Sequence, residues 1–277
     1  MKLAVVVTTY NRPDALRAVL EGYAAQSDDN FELVVADDGS TAATGDLVHD
    51  FAARAPFACR HVWHEDDGFR AAAIRNKAVC ETLAEYIVFT DGDCIPGTHF
   101  VARHRAFAER GWFVAGNRVL LSRRFTERVL AEGIPVHGWT GGRWVGARIA
   151  GDVNRLAPLL SLSDGPWRKR RPDLWEGVKT CNLAVWRDDL MKVNGLDETY
   201  TGWGMEDSDL VVRLLRAGVK HKSARFGAPV FHLWHEENDR SRLPGNQARL
   251  REVLAADTIR ARCGLDRYSG APETSRS

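Results

Sequence analysis

The stretch Glu85-Tyr86-Ile87-Val88-Phe89-Thr90-Asp91-Gly92-Asp93-Cys94 decides the fold. Its first six residues are rich in aromatic and β-branched side chains and read as a buried strand. The strand delivers Asp91 and Asp93 at its carboxyl end, separated by Gly92, which allows a sharp turn and close approach of backbone to a ligand. Paired carboxylates there suit Mg²⁺ or Mn²⁺, which bind one or two carboxylates together with substrate phosphates. Taken alone, Asp-Gly-Asp is also an ordinary turn.

Outward from this strand the chain alternates. Leu3 to Val7 is a continuous apolar run, as in a strand covered on both faces, and Thr8-Thr9-Tyr10-Asn11-Arg12-Pro13 follows as a polar turn. Leu16, Val19, Leu20 and Tyr23 then mark a helix over 14–26. A second strand, 31–36, ends in Asp37-Asp38-Gly39-Ser40-Thr41 and leads to a helix through Leu47, Val48 and Phe51. A weak strand at 59–63 and a helix over 68–83 carrying Arg70, Arg75 and Lys77 complete the first half. Such alternation predicts a parallel sheet, with ligands bound outside the strands' carboxyl ends.

The second half is less regular. A helix is expected over 99–110, a strand over 112–121, a short helix over 187–193 and a helix over 207–217 stopped by Gly218. The segment 132–176, rich in Gly, Pro, Trp and Arg, reads either as a lid or binding loop or as a solvated insertion. Val230 to His235 reads as a short strand, followed by a helix over 246–262 and a tail expected to be disordered.

Composition narrows the function. With 38 basic and 37 acidic residues the net charge is +1, which removes the electrostatic case for nucleic acid. Five scattered cysteines without a Cys-x-x-Cys pair point to reduced thiols in a cytosol, not to a disulfide framework or zinc site. The apolar N-terminal run is too short for a signal peptide or a membrane span.

Glu206 and Asp207 open a helix, where acids gain from the helix dipole and can serve as an ordinary cap. Gly202-Trp203-Gly204 just before them adds a flat apolar face suited to a sugar ring, and a carboxylate beside it can act as general base. A neutral imidazole could complete a divalent site begun by Asp91 and Asp93. Residues three apart in a strand face opposite ways, so His232 is favoured over His235 unless the strand has ended. Arg70, Arg75 and Lys77 suit a diphosphate, or simply form a solvated helix face.

Together these motifs resemble family-2 glycosyltransferases of the GT-A fold, an α/β architecture with a central, mostly parallel sheet flanked by helices. Gly202 to Leu210 is also similar to the acceptor-side motif of β-1,4-galactosyltransferases and of bacterial chondroitin and hyaluronan polymerases. The resemblance implies a GT-A domain over 1–245, divided into a nucleotide-sugar half (1–121) and an acceptor half (122–245), with a C-terminal helix and tail over 246–277. It implies a UDP-sugar donor, with Thr8, Tyr10, Asn11, Arg12, Asp38, Arg75, Asn76, Asp91 and Gly92 binding the nucleotide sugar. In that reading Tyr10 stacks on the base and Asp38 reads its edge. Asp93, Asp91 and His232 hold Mn²⁺ or Mg²⁺. Asp207, with Glu206, is catalytic, and Asn182, Gly202, Trp203 and Gly204 bind the acceptor.

The implied reaction is an inverting displacement onto a hydroxyl of a glycan or lipid-linked glycan acceptor, in bacterial-type surface polysaccharide or lipopolysaccharide synthesis. The expected location is cytoplasmic, at the inner face of the membrane if Trp167-Arg168-Lys169-Arg170-Arg171-Pro172 docks on anionic lipid. The missing Gln-x-x-Arg-Trp motif argues against a processive, membrane-embedded polymerase. A sugar nucleotidyltransferase would announce a glycine-rich first loop, absent here. A non-catalytic carbohydrate- or nucleotide-binding protein would not need Asp91, Asp93 and Asp207 together.

Overall fold

The computed structural model describes residues 1–268, and the last residues of the expected tail, 269–277, lie outside the described residues. β1 (Leu3–Thr9), β2 (Glu32–Asp37), β3 (Ala58–Trp63) and β4 (Tyr86–Asp91) are connected by α1 (Pro13–Ala24), α2 (Ala42–Ala52) and α3 (Ala71–Cys80). They form the parallel part of a seven-stranded sheet ordered β3-β2-β1-β4. The continuous apolar runs are explained by cores on both faces. Val5, Val7, Leu33, Val35 and Val88 enter one cluster, while Ala4, Val6, Val34, Ile87 and Phe89 enter the other. Each buried valine or leucine contributes roughly 1.5–3 kcal/mol relative to exposure.

β5 (Cys94–Pro96), α4 (Phe100–Phe107), β6 (Trp112–Ala115), β7 (Arg118–Leu120), α5 (Arg123–Glu132) and α6 (Gly141–Ile149) follow. Then come β8 (Asn182–Trp186), α7 (Arg187–Val193), α8 (Glu206–Arg216), β9 (Lys220–Ser223), β10 (Val230–His232) and α9 (Leu243–Ala255). The large sheet continues β4-β8-β6-β9, with β8 antiparallel to both neighbours. Strands from both halves of the chain therefore alternate in one sheet. A three-stranded sheet, β5-β10-β7, stands over its carboxyl edge and supplies the second wall of the site.

The strand expected over 112–121 is two strands in different sheets, broken at Gly116-Asn117. Asn182 causes the break. Its side-chain amide donates to Asn117 O (3.2 Å) and Ala228 O (2.8 Å), and its Oδ1 lies 3.0 Å from His104 Nε2. A Cβ at Gly116 would sit 2.3 Å from that amide, so only glycine lets the chain pass. Asn182, expected to meet the acceptor, is 1% exposed, and its side chain is held by protein partners.

The segment 132–176 is folded rather than a solvated insertion. Trp144 stacks on Phe231 at 4.4 Å, and Trp139 bridges Phe125 and Trp144. Arg168, 1% exposed, donates to Ser223 O, Arg225 O and Leu162 O and lies over the Phe107 ring. Lys169 is paired with Glu109. Of the basic cluster expected to meet lipid, Arg170 and Arg171 alone remain exposed, too few charges for the polybasic attraction that reading needed.

The C-terminal helix starts and stops earlier than expected, and the chain after it is packed. Ala261 N donates to Val193 O, Glu198 N donates to Cys263 O, and Leu265 is buried. No helix among the described residues is long and apolar enough to cross a membrane.

Candidate active site

Strand register gathers the polar ends. Thr8 lies opposite Asp91 across β1 and β4, and Thr9 lies opposite Asp37 across β1 and β2. Gly92 N donates to Thr8 O at 2.7 Å, and a Cβ there would strike Thr9 at 2.9 Å. Gly92 thus owes its smallness to the neighbouring β1 loop and not to a ligand.

Arg75 projects from the buried face of α3 into this edge. Its Nε donates to Thr8 Oγ1 (2.9 Å), one terminal nitrogen pairs with Asp91 Oδ1 (3.0 Å), and the other with Glu206 Oε1 (3.5 Å). Arg75 is 5% exposed, and through these contacts it ties the two halves of the site together. Arg70 holds Glu65 O and Asp67, with its buried Nε lacking a partner among the described residues, and Lys77 Nζ donates to Trp63 O at 2.8 Å.

Several other expected nucleotide contacts turn out to brace loops. Asn76 is fully buried, donating to Leu196 O and Glu198 Oε1 and accepting from Leu196 N. It fixes the approach to α8 and is a structural residue. Asp38 uses both oxygens internally, Oδ1 at 2.7 Å from His64 Nε2 and Oδ2 accepting from Arg70 N at 2.8 Å. Burial raises its pKa against these partners. Both oxygens of the expected base-edge reader thus have internal partners. Asn11, in the left-handed region at φ 46°, accepts from Thr41 N and clamps the β1 and β2 loops. Arg12 is half-exposed beside Asp14. Tyr10 keeps a ring that is 46% exposed, with its hydroxyl donating to Asp66.

Asp93 sits beneath the small sheet. Leu233 N donates to Asp93 O (2.9 Å), bringing the end of β10 to the acidic turn. Because β10 ends at His232, both histidines reach the same carboxylate. His232 Nε2 is 3.7 Å and His235 Nε2 3.5 Å from Asp93 Oδ2. These separations are too long for hydrogen bonds but match the spacing of two ligands around one cation about 2.0–2.2 Å from each. Burial pulls the His232 pKa down against the pull of Asp93, keeping the imidazole in the neutral form a metal requires. Asp93, Cys94 and His232 offer ligand atoms within 4.8 Å of one another, as a single ion needs, while His235 approaches Asp93 alone and Asp91 is engaged chiefly by Arg75.

Across Arg75 lies α8. Gly202 and Gly204 have φ of 72° and 102°, and Met205, the residue before the helix, has φ 80°, an uncommon value for a side-chain-bearing residue. This turn, tied by Gly202 N to Phe69 O, aims the first helical carboxylates back at the sheet edge. Trp203 stands beside it, half-buried under the Arg240 guanidinium at 5.1 Å. Thr180 Oγ1 donates to Asp207 Oδ1 at 2.7 Å. Asp207 Oδ2 has no protein partner among the described residues and stays open. Thr180 was invisible to local pattern. Only the β4–β8 register, Thr90 opposite Asn182, brings it here.

Glu206 is 7% exposed and its Oε2 lacks a partner among the described residues. Burial, then the charge of Asp207, push its pKa up to about 7 against Arg75. Raised from the ordinary 4.5, it adds stability that is full below that value and is lost as pH rises through about 7. Asp91, pushed up to about 6 by burial and by Asp93 against Arg75, adds a slope of the same sign. Thermal unfolding of metal-free protein should therefore show Tm falling over this range, more steeply than in Glu206→Gln. Identical slopes would place the Glu206 pKa at its ordinary value.

A mostly parallel sheet with acids at its carboxyl edge, facing a helix that starts with carboxylates, defines a nucleotide-sugar transferase fold. The comparisons with known proteins agree. Residues 4–160 match glycosyl transferase family 2, and residues 168–236 match the N-terminal domain of galactosyltransferase. The chain belongs to glycosyl transferase family 2. It is 32% identical over 228 residues to validoxylamine A glucosyltransferase of Streptomyces hygroscopicus subsp. jinggangensis, covering 78% of this chain and 52% of that one. It is 27% identical over 234 residues to hyaluronan synthase of Pasteurella multocida, covering 78% and 23% respectively. The chain thus spans about half or less of the length of these relatives. Among solved structures, S. aureus TarS 1–349 in complex with UDP superposes with TM-score 0.63 at 14% identity, over 96% of this chain and 68% of that one. Mannosyltransferase PcManGT from Pyrobaculum calidifontis, in complex with GDP-Man and Mn²⁺, gives TM-score 0.56 at 18% identity, over 85% and 57%. These likenesses establish the GT-A fold.

Proposed function

We propose that this chain is an inverting, divalent-metal-dependent glycosyltransferase. It moves a sugar from a UDP-sugar to a hydroxyl of a glycan or lipid-linked glycan acceptor, in the assembly of bacterial-type surface polysaccharide or lipopolysaccharide. The observation that carries the reading is the pairing of two half-sites through one arginine. Asp93 with His232 and His235 stands on one side of the Arg75–Asp91 pair, and Asp207 with its open Oδ2 stands on the other.

Asp93 and His232, with Asp91, would hold Mn²⁺ or Mg²⁺, which supplies charge stabilisation to a leaving diphosphate. The exposed Tyr10 ring offers a stacking face for the base at the β1 loop. Trp203 offers an apolar face to a sugar ring. Asp207 Oδ2 takes the proton of the acceptor hydroxyl, whose oxygen bonds to the anomeric carbon as the bond to the diphosphate oxygen breaks. A single displacement from the opposite face inverts the anomeric centre. Thr180 holds Oδ1, so the second oxygen keeps one orientation. Support for the donor comes from the UDP complex of TarS, and for a glycan product from relatives named hyaluronan and chondroitin synthases.

The test is calorimetric binding of UDP-, GDP- and dTDP-sugars with Mn²⁺ or Mg²⁺, paired with release of free nucleotide. Metal-dependent binding of one UDP-sugar, lost in Asp93→Ala, is expected. A folded protein that binds none of the panel overturns the assignment.

A further inference from the structure

We propose that Arg118, on the small sheet facing the acidic turn, binds the diphosphate of the donor and takes the role that Arg75 is too enclosed to fill. The inference rests on the nucleotide-sugar reading above and names the cation that reading lacks.

Position comes first. β7 runs parallel to β10 with Arg118 opposite Val230 and Leu120 opposite His232, while β5 places Cys94 opposite His232. Alternation along the strands puts Arg118 on the same face as His232 and Cys94. The other face carries Val119 and Phe231 into the aromatic core. Asn182 makes this possible, because its grip on Asn117 O ends the preceding strand and hands the chain to the small sheet just before Arg118. Arg155 then donates to Arg118 O at 2.7 Å and fixes the backbone of β7.

Partners come second. Among the described residues the Arg118 side chain meets no carboxylate at ion-pair distance, no hydrogen-bond acceptor and no aromatic face. It is nonetheless half-buried. Burial alone would lower its proton affinity, but nearby acidic groups, Asp91 and Asp93 among them, outweigh that. A half-buried guanidinium whose donors meet no acceptor among the described residues can take an anionic ligand without breaking an internal contact. A dianion bridging from the Asp93 side would fill those donors, and the planar guanidinium fork matches phosphate oxygens two at a time. Charge developing on the leaving group would meet a donor already in place.

The contrast with the other cations is direct. Arg75, Arg70 and Lys77 each have at least one donor held by a partner inside the protein. Among the described residues the Arg118 side chain has none so held.

The experiment measures binding of uridine, UMP and UDP, each with Mn²⁺, to the wild-type chain, Arg118→Gln and Arg118→Lys. UDP affinity should fall about 10- to 100-fold in Arg118→Gln. Uridine affinity should stay unchanged, and Arg118→Lys should recover part of the loss. If Arg118→Gln does not fold, Arg118→Lys carries the test, with a smaller loss confined to UDP. Unchanged UDP affinity in a folded variant overturns the proposal, as does an equal loss for uridine. A loss seen only with a UDP-sugar, and not with UDP, also overturns it by placing Arg118 on the sugar. If the wild-type chain itself binds no UDP, the nucleotide-sugar reading has failed, which is a separate result from the variants matching a wild type that binds.

Discussion

Asp207→Asn is expected to cut transfer about 10²- to 10⁴-fold, the usual contribution of a positioned general base. Affinity for UDP with Mn²⁺ should remain at the wild-type value. Asp207 touches none of the proposed metal ligands, and its one protein partner through the side chain is Thr180. Asparagine preserves the size and can still accept from Thr180, so the loop before α8 keeps its course. What disappears is the oxygen able to take a proton. Glu206, one residue earlier, is not equivalent. It is paired with Arg75, and burial raises its pKa to about 7, so its removal should act through the bridge more than through proton transfer. The check is single-turnover transfer with the cognate pair alongside calorimetry with UDP. Loss of both activities together would mean that Asp207 holds the fold of the site, and retained transfer would move the base elsewhere.

The parts legible in the sequence are those whose cause is local. Runs such as Leu3 to Val7 and Tyr86 to Phe89 carry their own explanation, since a strand covered on both faces has no polar side to show. The acidic turn and the start of α8 were legible for the same reason, as short motifs at predictable ends. The internal roles of Asn76 and Asn182 were not legible, because a polar residue there looks like a ligand contact. Both are buried groups whose partners come from distant segments, Leu196 and Glu198 for one, Asn117 and Ala228 for the other. Periodicity does not register such partners. The segment holding Trp139, Trp144 and Arg168 failed for a related reason, since its order comes from Phe125, Phe231 and a ring of carbonyl oxygens elsewhere in the chain. Likewise, the choice between His232 and His235 turned on where β10 ends, and the strand stops in time for both to face Asp93.

Replacing Arg75 with methionine should cost about 3–5 kcal/mol of stability near neutral pH, the typical result of removing one partner from a buried ion pair. Methionine keeps the length and apolar stem, so the loss reports on charge more than on a cavity. Asp91 and Glu206 would face each other and Asp207 without the cation paired to both, and Thr8 Oγ1 would lose its donor. Their proton affinities would then rise beyond values already pushed up to about 6 and about 7. The sign of the pH dependence follows. The native variant holds more protons than its unfolded chain, so its deficit is largest where both carboxylates must ionise and shrinks as acid neutralises them. Urea unfolding of metal-free protein at about pH 8 and about pH 5 should show the deficit collapsing at the lower value. In the Glu206→Gln background the same replacement should cost less, because one of the stranded charges is already gone. A deficit of equal size at both pH values would assign the role of Arg75 to packing, and the electrostatic bridge between the metal side and the base side would have to be abandoned.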